Sequence, residues 1–230
     1  MKRPIIELKN VWKTYVMGDN KIHALRGLTM TVSQGEFVAI QGPSGSGKST
    51  AMNMIGCLDI PTTGIVKLNG KNISELSESA LAQIRGKKIG FIFQKFNLIN
   101  TLTALENVTL PMIFQGISES ERRKRAIELL KLVDLYDRID HKPNELSGGQ
   151  QQRVAIARAL AVDPDVILAD EPTGNLDSKT GSAVMNFLQK LHKEKGKTIV
   201  LVTHDDKLAH YAERIEFLKD GIIVKTYNHN

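Results

Sequence analysis

FVAIQGPSGSGKST, residues 37–50, is the stretch from which the fold of this chain can be predicted. Residues 37–40 are all apolar, which predicts a short buried strand. Residues 42–49 then match the pattern G-x-x-x-x-G-K-[ST], a glycine-rich loop that leads into a helix. Glycines allow backbone N–H groups to turn inward around phosphate oxygens, and the N-terminus of the following helix adds partial positive charge. The stretch therefore predicts a strand–loop–helix unit that binds nucleotide phosphates.

Two side chains at the end of this loop suit a nucleoside triphosphate. Lys48 would bridge the β- and γ-phosphates as a point charge, and the Ser49 hydroxyl would be a ligand of Mg²⁺. A glycine-rich turn without a ligand is the alternative interpretation. The strand before the loop and the helix after it favour the phosphate site.

Polar side chains follow two further apolar runs that have the composition of buried strands. Asp170 and Glu171 come after residues 166–169, and His204 follows residues 198–202. Ligands of open α/β sheets bind at the carboxyl ends of the strands, so these residues are predicted to lie at the ligand edge. Asp170 can hold Mg²⁺ through water, Glu171 can accept a proton from an attacking water, and His204 can hydrogen-bond the γ-phosphate or that water. Taken alone, a helix cap explains the acidic pair equally well, and a capping or core role is the alternative for His204.

The bulk composition is that of an ordinary globular protein. Of the 230 residues, 41% are hydrophobic and 24% are charged. The longest apolar runs, such as residues 199–202, are far shorter than the ~20 residues that cross a bilayer. No basic segment followed by an apolar stretch opens the chain, so we expect no secretory signal and membrane association only through a partner.

The cysteine content and the net charge bear on the cellular compartment of the protein and on the classes of partner that it can bind. Cys57 has no second cysteine to pair with, and its apolar, predicted helical stretch indicates a buried thiol in a reducing cytosol. The net charge of +6 is compatible with nucleic acid, anionic lipid or a polyphosphate. The densest basic run, residues 122–125, lies among glutamates on a predicted helix, which favours a solvated helix face. We therefore expect no nucleic-acid partner.

The order of predicted elements indicates an α/β fold with a helical insertion. Short runs with strand character, bounded by turn residues or helices, are residues 5–11, 28–32, 37–40, 65–68, 89–93, 166–169, 199–202, 215–218 and 222–226, the last two forming a hairpin. A helix near residues 182–193 separates two of them. Short buried strands alternating with helices predict a mostly parallel sheet covered on both faces.

The middle of the chain is predicted to be helical. Ser118 and Glu121 form a capping box at the start of one helix. Apolar residues then recur at helical spacing: Ala126, Ile127, Leu130, Val133 and Leu135. This stripe favours core packing over a cofactor or partner groove.

A second predicted anion site lies at LSGGQ, residues 146–150. Ser147 is a helix N-cap residue type, and Gly148 and Gly149 leave backbone N–H groups exposed at the start of the helix near residues 154–161. One nucleotide per chain does not need two such sites. Two chains paired head to tail would place each nucleotide between the loop of one and the Ser147 helix of the other.

With this stretch the chain resembles the ATP-binding-cassette family, whose signature is LSGGQ. The motifs follow the order of the family along nearly the whole chain. The resemblance implies ATP and Mg²⁺ as ligands, with Tyr15 stacking on adenine. The implied ATP contacts of the loop are Gly42, Pro43, Ser44, Gly45, Ser46, Gly47, Lys48, Ser49 and Thr50.

The resemblance also assigns the other residues of the site. Gln94 would touch both Mg²⁺ and the attacking water, which makes it a catalytic residue with Glu171 and His204, and a metal contact with Ser49 and Asp170. Ser147, Gly148, Gly149 and Gln150 would contact the ATP of the partner chain. Asp177 corresponds to an aspartate at the dimer interface, although Asn175 departs from the Ser-Ala that more often precedes Leu-Asp in the family.

For the fold, the resemblance implies a phosphate-loop NTPase core with an N-terminal antiparallel β subdomain. The core would comprise residues 1–94 and 164–230, and an inserted helical subdomain, residues 95–163, would carry the signature. The implied partners are a second copy of the chain and an integral membrane permease, which could contact an extracytoplasmic adaptor. The chain would then lie at the cytoplasmic face of the membrane.

Three further stretches, residues 57–64, 102–108 and 143–146, resemble the macrolide-export and lipoprotein-release branch of the family. Two alternatives stay open at this point. One is an ATPase that acts through a permease-like protein on cell-wall enzymes at division. The other is a non-transport member acting in DNA repair or on the ribosome, which usually carries two cassettes or a long coiled coil.

Overall fold

The computed structural model describes residues 3–229, which form two compact units. Of the described residues, the first unit comprises 3–85 and 189–229, and the second comprises 86–188. The strands are β1 (Pro4–Met17), β2 (Asn20–Ser33), β3 (Phe37–Gln41), β4 (Thr63–Leu68), β5 (Lys71–Asn72), β6 (Ile89–Ile92), β7 (Val166–Asp170), β8 (Thr198–Thr203), β9 (Arg214–Lys219) and β10 (Ile222–Asn228). The α-helices are α1 (Lys48–Ile55), α2 (Glu78–Lys88), α3 (Ala104–Ile113), α4 (Glu119–Leu132), α5 (Gly148–Leu160), α6 (Ser178–Lys195) and α7 (Asp206–Ala209).

The first unit contains an antiparallel sheet and a mostly parallel one. Strands β2, β1, β4 and β5 pair in that order, all antiparallel. In the other sheet β3 lies between β8 and β9 and runs parallel to both, while β10 pairs antiparallel with β9. Every residue of β3 and of β8 is buried. Burial along a whole strand is expected where helices cover both faces of a parallel sheet.

The second unit combines a parallel strand pair with the helices of the middle segment. Strands β6 and β7 pair from Ile89 with Val166 to Ile92 with Ala169. Helix α5 packs against α3, α4 and β6. The capping box predicted at Ser118 is confirmed, because its Oγ accepts from Glu121 N while the Glu121 carboxylate accepts from Ser118 N at 3.3 Å.

The structure corrects several bounds from the sequence. The first hairpin is longer than predicted, since β1 runs on to Met17 and β2 begins at Asn20; its outer part is exposed and shows no apolar alternation. Helix α4 ends at Leu132, so the last two residues of the apolar stripe, Val133 and Leu135, lie beyond it, although both are buried.

Cys57 does not lie on a helix, contrary to the sequence prediction. Helix α1 ends at Ile55, and Cys57 has a left-handed backbone with a φ of 53°. Its burial is confirmed, with 2% of the residue exposed. Burial raises the pKa of the thiol to about 11, against the smaller opposing effect of the Arg85 charge. A thiol so shielded is a packing element rather than a nucleophile.

Candidate nucleotide-binding site

The glycine-rich loop lies between β3 and α1, as predicted. Gly47 is the N-cap of α1, with a φ of 102°, and a Cβ atom there would lie only 2.5 Å from the carbonyl oxygen of Ala24. Any other residue would be strained in this backbone conformation and would push against β2. A glycine has no side chain to cap the helix, so a bound anion can accept hydrogen bonds from the first N–H groups of α1.

Lys48 lies inside this loop. The residue is 9% exposed, and its Nζ donates to the carbonyl oxygens of Gly42 at 2.8 Å and of Pro43 at 2.9 Å. The ammonium group is therefore held among the backbone atoms that surround the predicted phosphate position. A buried cation held in this way supplies charge to a phosphate without first ordering a long side chain.

A cleft of about 500 Å³ opens beside the loop. It is lined by the end of the loop and the first turn of α1, by β2, and by the β9–β10 turn. Three lining residues carry positive charge (Lys21, Arg26 and Lys48), and one carries negative charge (Asp220). An excess of positive charge beside exposed helix N–H groups suits a polyphosphate.

Tyr15 is half-buried beside this cleft and is not among the residues that line it. Its hydroxyl donates to Asp59 Oδ2 at 3.0 Å and also bonds Thr50, which does line the cleft. Lys13 Nζ donates to Asp59 Oδ1 at 2.5 Å and lies 5.1 Å from the centre of the Tyr15 ring. Burial, followed by the Asp59 hydrogen bond, raises the pKa of Tyr15. Burial alone would raise the pKa of Asp59, but the hydrogen bond from Lys13 and further bonds outweigh it and lower that pKa.

His204 and the phosphate loop follow the carboxyl ends of two adjacent parallel strands, β8 and β3, in the first unit. Thr203 is in register with Gln41, so His204 and Gly42 each come one residue after a paired position. Gln41 Nε2 also donates to Asp206 Oδ1 at 3.2 Å, which ties the segment after His204 to the end of β3. The predicted position of His204 at the carboxyl edge is confirmed.

In the second unit, Gln94 and Glu171 likewise follow the carboxyl ends of two adjacent parallel strands, β6 and β7. Ile92 is in register with Ala169, so Gln94 and Glu171 each come two residues after a paired position. Asp170 is the last residue of β7, and Glu171 has a φ of 45°. Few residues other than glycine adopt this left-handed conformation, and such backbone strain concentrates at functional sites. The extended backbone of β7 therefore ends at Asp170, and the side chains of Asp170 and Glu171 do not follow the regular alternation of a strand.

The segment that contains Asp177 is bound within the second unit. Asp177 accepts from Thr180 N at 3.0 Å and from Thr180 Oγ1 at 2.6 Å, and these hydrogen bonds lower the pKa of its carboxyl. Asn175 Nδ2 donates to the carbonyl oxygen of Gln94 at 2.8 Å. In the single chain Asp177 therefore caps the start of α6, and Asn175 joins this segment to Gln94.

Ser147 is the N-cap of α5, as predicted. Its Oγ accepts from Gln150 N at 3.3 Å, while Ser147 N donates to Gln150 Oε1 at 2.8 Å, which completes a capping box. Gly148 and Gly149 form the first two positions of the helix. The N–H groups of these two glycines are not the ones that the box satisfies, so they can donate to an anion.

The sequence did not point to every residue beside the cleft. Lys13, Asp59, Lys21 and Arg26 were missed because each lies in an ordinary strand or turn and becomes part of the site only through long-range pairing. Asp59 was within reach of sequence reasoning, since residues 57–64 stood out as a stretch shared with a branch of the family.

No cluster of three His, Cys, Asp or Glu side chains that could hold a metal occurs among residues 3–229. Mg²⁺ does not need one, since it keeps several waters and binds through one or two protein oxygens together with substrate phosphates. Ser49, exposed at the first turn of α1 and lining the cleft, fits such a role.

Comparison with known proteins settles the family. The family model described as "ABC transporter" matches residues 25–174. The chain belongs to the ABC transporter family. It is 59% identical over 221 residues to the ATP-binding protein MJ0796 of Methanocaldococcus jannaschii, covering 94% of each chain. It is also 51% identical over 224 residues to the macrolide export ATP-binding/permease protein MacB of Hyphomonas neptunium. The aligned region covers 97% of this chain and 35% of MacB.

Solved structures of ABC cassettes share the fold. A dimeric, post-hydrolysis structure of MJ0796 with ADP and Pi matches this cassette with a TM-score of 0.90 and 56% identity, covering 97% of this chain and 98% of that one. The predicted α/β cassette fold and ATPase activity are thereby confirmed, and the similarity to MacB agrees with the predicted branch. Within residues 3–229, no helix of this cassette combines the length and the apolar character needed to cross a membrane.

Proposed function

We propose that this cassette is the ATP-hydrolysing subunit of a transporter of the macrolide-export and lipoprotein-release branch. Two copies would work together against a separate integral membrane permease. The observation that carries the proposal is that one chain has two glycine-rich helix starts suited to phosphate, at α1 with Lys48 and at α5 with Ser147. A chain that used its nucleotide alone would need only the first.

In this proposal the phosphate loop holds ATP in the cleft of the first unit. The loop N–H groups and Lys48 bind the β- and γ-phosphates, and Tyr15 supports the adenine from the rim. Ser49 and Asp170 would hold Mg²⁺, with Gln94 as a further contact. The ion, when bound, neutralises charge that develops on the phosphate oxygens.

The reacting water is handled by residues that follow strand ends. Glu171 accepts a proton from the water as its oxygen attacks the γ-phosphorus, and the bond from phosphorus to the bridging oxygen of ADP breaks. His204 and Gln94 orient the water and the γ-phosphate. General-base help of this kind contributes ~10²–10⁴ to the rate.

In this proposal the partner chain completes the site, and hydrolysis is coupled to opening of the dimer. Ser147, Gly148, Gly149 and Gln150 of one chain would bind the γ-phosphate held by the other, with Asp177 near the interface. Hydrogen bonds to charged groups contribute ~1.5–3 kcal/mol each, so loss of the γ-phosphate weakens the pairing. Opening and closing would move the helical segment after Gln94 and, through it, a permease at the cytoplasmic face of the membrane and any adaptor that the permease binds.

The direct test combines hydrolysis with partner capture. Phosphate release by the purified chain should require Mg²⁺, stop on addition of EDTA and resume with excess Mg²⁺. A tagged copy, recovered from detergent-treated membranes of its own host, should retain a permease with a large extracytoplasmic domain. Absence of hydrolysis would contradict the enzymatic half of the proposal. Capture of cell-wall enzymes would favour the role at division over transport. Stimulation of ATP hydrolysis by nucleic acid would favour a non-transport role.

The Asp59 cluster gives a prediction about nucleotide affinity. Asp59→Ala removes the acceptor of both the Tyr15 hydroxyl and the Lys13 ammonium. Loss of one net hydrogen bond of ~1 kcal/mol that positions the ring should raise the KM for ATP about fivefold, with kcat nearly unchanged. Steady-state kinetics with Glu75→Ala provide the control, because the Glu75 carboxylate lies on another turn, where it accepts a hydrogen bond from Asn72 Nδ2 at 2.7 Å. Equal KM values in both variants would contradict a role of Tyr15 in binding adenine.

A further inference from the structure

The turn between β9 and β10 lies against the phosphate loop. Strand β9 pairs in parallel with β3 as far as Phe217 opposite Gln41, so the turn follows β9 just as the loop follows β3. At the turn, Asp220 and Gly221 both have left-handed backbones, with φ values of 51° and 81°. Two consecutive residues of this kind are typical of a type I′ hairpin turn.

Gly221 joins the phosphate loop to the antiparallel sheet through its backbone. Its N–H donates to the carbonyl oxygen of Ser46 at 3.0 Å, and its own carbonyl oxygen accepts from Arg26 N at 3.0 Å. Ser46 is a residue of the loop itself, and Arg26 lies on the β2 wall of the cleft. One peptide group on each side of Gly221 therefore sets the distance between loop and wall.

The space around Gly221 admits no side chain. The residue is buried, and a Cβ atom there would lie 2.9 Å from Ala24 O, 3.0 Å from Leu25 Cα and 3.1 Å from Arg26 N. All three are backbone atoms of β2, which cannot turn away as a flexible side chain could. A methyl group would have to push the turn away from β2, and the turn carries the hydrogen bond to Ser46.

We propose that Gly221 is a positioning residue for nucleotide binding, which holds the phosphate loop at its working distance from β2 through the Ser46 carbonyl. The proposal depends on binding of nucleotide in this loop. Gly221 lines the cleft, but its N–H is already bonded to the Ser46 carbonyl oxygen. In this proposal its effect on the nucleotide is exerted through Ser46 and the loop N–H groups that follow it.

The chain contains a matched control in the turn between β4 and β5. Asn69 and Gly70 repeat the backbone geometry of Asp220 and Gly221, with φ values of 50° and 78°. A Cβ atom on Gly70, however, would have nothing within 4 Å. Replacement of either glycine by alanine carries the same left-handed penalty, so only the contact with β2 and the loop differs between the two variants.

The test compares Gly221→Ala with Gly70→Ala by titration with MgADP, a nucleotide that is not turned over. We expect Gly221→Ala to raise the Kd about tenfold, which corresponds to loss of roughly one charge-assisted hydrogen bond to phosphate. Gly70→Ala should leave the Kd within about twofold of wild type. An unchanged Kd in a folded Gly221→Ala protein would overturn the proposal. Failure of the wild type itself to bind MgADP would instead overturn the nucleotide site.

A measurement on the wild type keeps the proposal testable if Gly221→Ala does not fold. Hydrogen exchange at the Gly221 amide should slow at least about tenfold when MgADP binds, because the loop that accepts its hydrogen bond becomes ordered by the ligand. The Gly70 amide should exchange at the same rate with and without nucleotide. An equal response of the two amides would show that Gly221 is an ordinary turn glycine.

Discussion

Glu171→Gln is expected to lower kcat for ATP hydrolysis by ~10²–10⁴, which makes turnover negligible, while ATP binding persists. Glutamine keeps the length of the side chain and its hydrogen-bonding capacity, but it cannot take a proton from the attacking water. The backbone at this position is left-handed, with a φ of 45°. Glutamine has the same branching as glutamate, so we expect it to carry the same backbone strain there. Loss of proton transfer is therefore separated from loss of the fold.

Two measurements separate catalysis from binding in this variant. Phosphate release reports turnover, and titration with MgATP reports affinity, which should stay close to the wild-type value. Glu128→Gln is a suitable control, because Glu128 lies on the exposed face of α4, where it forms a long, 3.9 Å ion pair with Arg125. We expect that control to hydrolyse ATP at the wild-type rate. Wild-type turnover by Glu171→Gln would remove Glu171 from the proposed role of general base.

The sequence predicted the elements whose stability is local. The capping box at Ser118 involves residues only three positions apart, so their residue types alone indicate where α4 begins. Ser147 was likewise recognised as an N-cap residue type, although the helix after it begins earlier than the predicted residues 154–161. The apolar runs of β3 and β8 likewise have one stable environment, a sheet covered on both faces. The same runs located Glu171 and His204, because a side chain that follows a buried parallel strand must emerge at the carboxyl edge.

The parts that the sequence missed depend on partners far away along the chain. Asp59 takes its importance from Lys13 and Tyr15, more than 40 residues earlier. Gly221 appears in the sequence as a hairpin glycine like Gly70, and only the packing of β2 against the turn distinguishes the two. Long-range approach of this kind leaves no periodicity in the sequence. The departure at Asn175 was visible, but its hydrogen bond to the Gln94 carbonyl was not.

Ser147→Arg is expected to abolish ATP-dependent dimerisation and to leave nucleotide binding by the single chain intact. The arginine removes the hydroxyl that caps α5 and places a long side chain where the N–H groups of Gly148 and Gly149 would meet the γ-phosphate of the partner. The phosphate loop lies in the other compact unit and contains none of these residues. Binding within one chain should therefore persist while pairing is lost.

The experiment is best done in the Glu171→Gln background, where ATP is not consumed. Light scattering with MgATP should give a mass of twice 25.5 kDa for the single variant Glu171→Gln. The double variant that carries both Glu171→Gln and Ser147→Arg should give 25.5 kDa. Ser118→Arg is the matched control, because Ser118 caps α4 with the same kind of box and each lost cap costs ~1 kcal/mol. Both arginine variants should thus lose similar stability, but only the change at Ser147 should prevent pairing. A dimer that survives Ser147→Arg would mean that the α5 N-terminus does not bind the nucleotide of the partner, and hydrolysis would then have no means of opening the pair.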